Sequence, residues 1–159
     1  MATPGSASGC HPMADHEEGD SKTVDKVLDS TLESVDVAEE MVLHAGEELG
    51  FDEDDLHRIG MSVRECMVNA VVHGNCYNAR KKVHLMVSRD DNRLTVVIAD
   101  EGEGFDMSNL PDPLANENLL RHSGRGLLLI QAFMDEFQIR PREPKGTEVK
   151  MVKYVGKAC

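Results

Sequence analysis

The sequence has no run of the roughly 18 apolar residues that a membrane-crossing helix requires. It also lacks a basic excess: 17 Lys and Arg stand against 29 Asp and Glu, a formal charge of −12. A protein that binds nucleic acid by neutralising phosphates needs the opposite sign, so neither a membrane nor a nucleic acid is an expected partner. Cysteine is sparse, at positions 10, 66, 76 and 159, and no Cys-x-x-Cys pair occurs. Such scattered thiols suit a reducing compartment better than a disulfide frame, and a cytoplasmic location is expected. Ala7-Ser8-Gly9-Cys10 imitates the end of a lipoprotein signal. No basic residue and no apolar stretch precedes it, so it reads as part of a flexible tail.

What is present fits one globular domain with a tail. The 159 residues are 40% hydrophobic and 29% charged, and a folded chain near this length hides roughly two-thirds of its surface. Residues 1–20 carry four acids, no Lys or Arg, and much Gly, Pro and Ser. Residues 1–21 are therefore expected to be a disordered acidic tail. Residues 31–56 add ten acids and again no base, whereas residues 57–159 are almost balanced, with thirteen acids and fifteen bases. An anionic ligand in that last part would not meet the repulsion that the total charge suggests. The acidic stretch 31–56 reads either as a solvated helix face or as a docking surface for a basic partner.

The pattern predicts a strand over 22–32, then a helix with Ser34 as N-cap, an apolar stripe of Val35, Ala38, Met41, Val42, Ala45 and Leu49, and Gly50 as its stop. Asp52, with Asp55 in the first turn, opens a second helix that buries Leu56, Ile59, Val63, Met67, Ala70 and Val71 and closes at Gly74-Asn75. Strands are expected over 83–87 and 94–99, joined by Asp90-Asp91-Asn92. Residues 107–123 read as a long loop of functional type, 126–137 as a third helix, and 138–140 and 147–154 as strands. The order β-α-α-β-β-loop-α-β-β implies an α+β fold, a two-layer sandwich with helices on one face of a mostly antiparallel sheet.

Three constellations carry possible chemistry. Glu65 and Asn69 lie one above the other on the second helix, a carboxylate and an amide suited to a hard cation such as Mg²⁺, to taking a proton, or to being an ordinary exposed pair. His73, one turn on, either joins them or caps the helix. Asp100-Glu101-Gly102-Glu103-Gly104-Phe105-Asp106 directly follows a strand. Its glycines let backbone approach a flat ligand, and Asp100 can accept from an exocyclic amine. The spacing of a Ca²⁺ loop is absent. Ser123-Gly124-Arg125-Gly126 runs into Leu127-Leu128-Leu129-Ile130, either as a plain helix start or as an anion site to which Arg121 and Arg125 add charge.

The order of these motifs is more specific than any one of them. Glu65-x-x-x-Asn69-Ala70-x-x-His73-Gly74-Asn75, then Asp100-x-Gly102-x-Gly104, then Gly124-x-Gly126-Leu127, then Gly146-Thr147 resemble the N, G1 and G2 boxes and the final Gly-Thr of the Bergerat-fold ATPases. Within that superfamily, which includes gyrase, Hsp90, histidine kinases and MutL, the short chain resembles the anti-sigma-factor serine/threonine kinases. The resemblance covers residues 22–155 and implies a histidine-kinase-like ATP-binding domain within 22–159, with a lid at about 107–123.

The resemblance assigns Glu65 as the catalytic general base and Asn69 as the ligand of the Mg²⁺ that bridges the ATP phosphates. It makes Asp100 the acceptor of the adenine amine, aided through a water by Thr147. Gly102 and Gly104 make room for the purine, and Ser123, Gly124, Arg125, Gly126 and Leu127, with Arg121 and His73, complete the nucleotide site. The implied partners are a sigma factor and a STAS-domain antagonist protein bearing the phosphoacceptor Ser or Thr, and the implied assembly is a homodimer. Relatives often carry Arg directly before the Ser-Gly of the second glycine box, where this chain has His122. Two alternatives follow: a non-catalytic ATP-binding module that sequesters a regulator, and a detached histidine kinase catalytic domain with His44 as its candidate acceptor.

Overall fold

The structure, a computed structural model, describes residues 22–103 and 126–156. The expected tail of residues 1–21, the expected lid, and Gly104, Phe105, Asp106, Arg121, His122, Ser123, Gly124 and Arg125 lie outside the described residues. Along the rest run β1 (Lys22–Asp29), α1 (Leu32–Leu49), α2 (Glu53–Val68), a π-helical turn (Asn69–Gly74), β2 (Lys82–Asp90), β3 (Arg93–Ala99), α3 (Gly126–Phe133), β4 (Glu136–Pro141) and β5 (Thr147–Tyr154).

The five strands form one sheet in the order β1-β2-β3-β5-β4, and every neighbouring pair is antiparallel. Its register aligns the apolar alternation. Leu28 faces Val83, Leu85 faces Ile98, Val87 faces Val96, Ile98 faces Val149, and Val149 faces Ile139. Side chains two apart on a strand share a face, so these residues make one apolar layer. Ile59, Val63, Met67 and Val71 pack on that layer from α2 and its π turn, Val35, Ala38 and Val42 from α1, and Leu127 and Ile130 from α3. The α+β sandwich expected from the sequence is the fold found.

Local chemistry explains most element ends and corrects several of the expected ones. Asp52 caps α2 as expected, its Oδ1 accepting from the Asp55 N–H at 2.8 Å, and Gly50 ends α1 in the left-handed region at φ 97°. The cap of α1 is Thr31 rather than Ser34. Thr31 Oγ1 accepts from the Ser34 N–H at 3.3 Å, so Ser34 is the third helical residue. Strand β1 therefore stops at Asp29, leaving Ser30 and Thr31 to turn the chain. Helix α3 stops at Phe133 instead of reaching 137, because the Asp135 N–H donates to the Val152 carbonyl and draws the chain into pairing with β5. Between β2 and β3 the reversal takes only Asp91 and Asn92, with Asp91 at φ 46°.

Replacing Asp52 by Ala leaves a helix-start N–H without its acceptor. Chemical denaturation of Asp52→Ala is expected to show a loss of about 1 kcal/mol at unchanged denaturant slope, with Asp52→Asn close to the parent.

Candidate functional site

Asp100 stands just beyond β3, buried to 6% exposure, where β3 leaves the sheet. Its backbone N–H donates to the Thr147 carbonyl at 2.9 Å, and the Thr147 N–H returns a bond to Asp100 Oδ1 at 3.2 Å. The Gly102 N–H donates to the same oxygen at 2.9 Å. Both backbone donors thus meet Oδ1, and Oδ2 is left facing the Cα of Gly74. Burial pushes the Asp100 carboxyl above the usual carboxylate range, against the pull of the Gly102 and Thr147 N–H groups and of the Arg142 and Lys81 charges. Thr147 meets Asp100 through backbone atoms.

The residues around this carboxylate are small because nothing larger fits. A Cβ at Gly74 would collide with the Asp100 carboxylate, and one at Gly102 with the Gly74 carbonyl. Gly146 adopts φ 115°, and a Cβ there would strike the Asp100 carbonyl. Gly74 comes so near because the end of the second helix widens. Over Asn69–Gly74 the backbone is π-helical, and the Asn75 N–H reaches back five residues to the Ala70 carbonyl at 2.8 Å. Such single widened turns recur at functional sites.

The next residue, Asn75, is 1% exposed and ties this corner together. Its Nδ2 donates to Ser30 Oγ at 2.9 Å and to the Lys82 carbonyl at 3.0 Å, while its Oδ1 accepts from the Glu101 N–H at 2.8 Å. Glu101 turns its own carboxylate to the Lys82 N–H at 3.1 Å and the His84 ring at 2.6 Å. The His84 contact, seconded by the Lys82 N–H, holds the Glu101 carboxyl below the usual range. The sequence marks Asn75 as the close of the second helix and the end of the first box, with no bonding role assigned. Its partners lie 45 and 26 residues away in the chain, so no local signal marks them.

Glu65 and Asn69 are brought to the start of α3. A Cβ at Gly126 would run into Glu65 Oε1 and lie 3.7 Å from Asn69 Nδ2. A carboxylate facing a helix N-terminus is favoured by the helix dipole. The Asn69 Nδ2 atom is buried and has no hydrogen-bond partner among the described residues. The unused N–H donor fits a phosphate oxygen, and the amide oxygen beside a carboxylate one helical turn away is an oxygen set that suits Mg²⁺. Cys66, between them in sequence, is fully in the core, and burial pushes its thiol up, reinforced by the Asp100 and Glu65 charges. Gly126 and Leu127 are buried, and His73 is exposed, with no side-chain hydrogen bond among the described residues.

The site therefore has two ends joined by one helix end: an acceptor carboxylate in a glycine-lined corner, and a carboxylate-amide pair against the N-terminus of α3. Gly74→Ala is expected to displace Asp100. The measured outcome is a drop of about 2 kcal/mol or more in unfolding free energy, larger than an exposed Gly→Ala change produces.

Comparison with known proteins agrees with this geometry. The profile of the histidine kinase-like ATPase domain matches residues 28–153. The anti-sigma F factor of Bacillus subtilis (strain 168) is 32% identical over 107 residues, 66% of this chain and 73% of that protein. The serine-protein kinase RsbW of Staphylococcus epidermidis is 34% identical over 115 residues, 68% of this chain and 71% of that protein. A crystal structure of the RsbU and RsbW domains of a Mycobacterium tuberculosis protein superposes with a TM-score of 0.60 at 17% identity, covering 84% of this chain and 32% of that one, which supports the fold. With this extent of match, the chain belongs to the histidine kinase-like ATPase domain family.

Proposed function

We propose that this chain is an ATP-dependent serine/threonine protein kinase that works as a partner-switching anti-sigma factor. The observation that carries the reading is the pair of ends just described: Asp100 in its glycine-lined corner, with Glu65 and Asn69 opposite Gly126. Relatives named anti-sigma F factor and serine-protein kinase RsbW support the same activity.

In this reading Asp100 Oδ2 accepts from the exocyclic amine of adenine, Gly102 and Gly74 let the backbone close on the carboxylate, and Thr147 braces it. Phosphoryl transfer asks mainly for positioning and charge stabilisation. The acceptor hydroxyl of a Ser or Thr forms a bond to the γ-phosphorus as the bridging P–O bond breaks and ADP leaves. Glu65 takes the hydroxyl proton. Mg²⁺ held through Asn69 supplies neutralisation of the phosphate charge. Gly104, Arg121, Ser123, Gly124 and Arg125 are assigned the purine and phosphate roles that the family pattern gives them.

The proposed partners are a sigma factor and a STAS-type antagonist that carries the acceptor, engaged by a homodimer in the cytoplasm. No helix among the described residues is long and apolar enough to cross a membrane. His122 in the place where relatives often have Arg favours one second reading, a module that binds ATP and sequesters its partner without transfer.

Isothermal titration with Mg·ATP tests the nucleotide site that both readings share, and a transfer assay separates them. Binding that depends on Mg²⁺ and is lost in Asp100→Asn supports the nucleotide site, and no binding at millimolar ATP refutes it. Glu65→Ala is then expected to keep ATP affinity within about threefold while phosphorylation of a STAS-domain substrate falls by about a hundredfold or more. Undiminished transfer by that variant would remove Glu65 as the base, and no transfer by the parent protein would favour the sequestering module.

A further inference from the structure

We propose that Asn75 is a positioning residue that sets where the Asp100 carboxylate stands, and so how strictly the site demands an exocyclic amine on the base. The inference rests on the reading of Asp100 as the base acceptor. Asn75 makes no contact with the site by its own side chain. It acts through the peptide that follows Asp100.

The geometry fixes the peptides on both sides of Asp100. The Asp100 N–H donates to Thr147, and the Glu101 N–H, one residue on, donates to Asn75 Oδ1 at 2.8 Å. Between these anchors the carboxylate can rotate only as far as the Gly102 N–H and the Gly74 Cα allow. The orientation of the Asn75 amide is itself determined. Ser30 Oγ donates to the Lys81 carbonyl at 2.5 Å and must therefore accept from Asn75, while the Lys82 carbonyl requires a donor. A flipped amide would set its oxygen against that carbonyl and its NH₂ against the Glu101 N–H, losing all three bonds.

Asn75 is also the residue whose backbone N–H closes the π turn onto Ala70. One residue, through its backbone and side chain together, thus locks the widened turn that delivers Gly74, the start of β2, and the strand end that delivers Asp100. The Glu101 carboxylate bridges the same strand end to β2 through Lys82 and His84. Those bonds hold the Glu101 side chain, whereas the Asn75 bond holds the backbone N–H adjoining Asp100.

The test is the ratio of affinities for ATP and ITP, which carries a carbonyl where ATP has the amine. It is measured by calorimetry on the full chain alongside melting temperature. Wild type is expected to prefer ATP. Asn75→Ala is expected to lose about tenfold or more of that preference, the scale of a hydrogen bond to a charged group. Ser30→Ala, which removes a partner of Asn75 but leaves the Glu101 bond, should lower the melting temperature and keep the ratio.

If Asn75→Ala weakens both nucleotides in parallel with the ratio intact, the residue is only structural and the proposal is overturned. A wild type without preference would refute the Asp100 reading and the proposal with it, a result distinct from failure in the variant alone. Should Asn75→Ala not fold, hydrogen exchange of the Glu101 amide in the wild-type protein decides: slow exchange in the absence of nucleotide supports the anchor, and exchange at the rate of an unstructured peptide overturns it.

Discussion

A carboxylate that is almost wholly buried must be met by donors, and the need to satisfy Asp100 shapes this end of the molecule. Its partners are backbone N–H groups, from Gly102 two residues on and from Thr147 on the neighbouring strand. Backbone donors cannot be supplied by a rotamer change. They require β5 to lie beside β3 in one register, and they require a turn at 100–102 tight enough to bring an amide back over the strand end. That crowding excludes a Cβ at Gly74, Gly102 and Gly146. The glycines are thus a consequence of burying one charge.

The same constraint explains why the second helix does not finish as an α-helix. An ordinary last turn would carry one residue fewer before Asn75. The π turn inserts that residue, so that Gly74 meets Asp100 and Asn75 meets Glu101 while Glu65 and Asn69, on the α-helical part and its first widened turn, still face Gly126. Two side-chain clusters with different spatial demands are served by one continuous helix because its period changes between them. The ladder is distorted where it ends, and the buried stripe of Ile59, Val63 and Met67 is undisturbed.

Much of this was legible in the residues, and the exceptions have physical reasons. Asp52 and Gly50 bound their helices because each satisfies a backbone need within three or four residues, which sequence displays. Strand β5 begins and ends where its alternation does. Thr31 and Ser34 are both competent caps, and only packing chose between them. The apolar run after Gly126 is compatible with helix to Phe137, and pairing of β4 with β5 overrides it. Order and spacing single out Glu65, Asn69 and Asp100, whereas the bonds of Asn75 depend on Ser30, Lys82 and Glu101 converging from three segments. The π turn has no local signature, since Asn69-Ala70-Val71-Val72-His73-Gly74 would serve equally as α-helix.

Strand order carries a further consequence. Asp100 and Thr147 are 47 residues apart, and they meet only after β5 has added to β3 across everything that lies between them in the chain. The Asp100 corner is therefore absent from any species in which the β4–β5 hairpin has not docked. A ligand of that corner would bind the native state and no partly assembled one, and so would act as a folding ligand by mass action. At a hundredfold excess over its dissociation constant it would deepen the native well by about 2.7 kcal/mol.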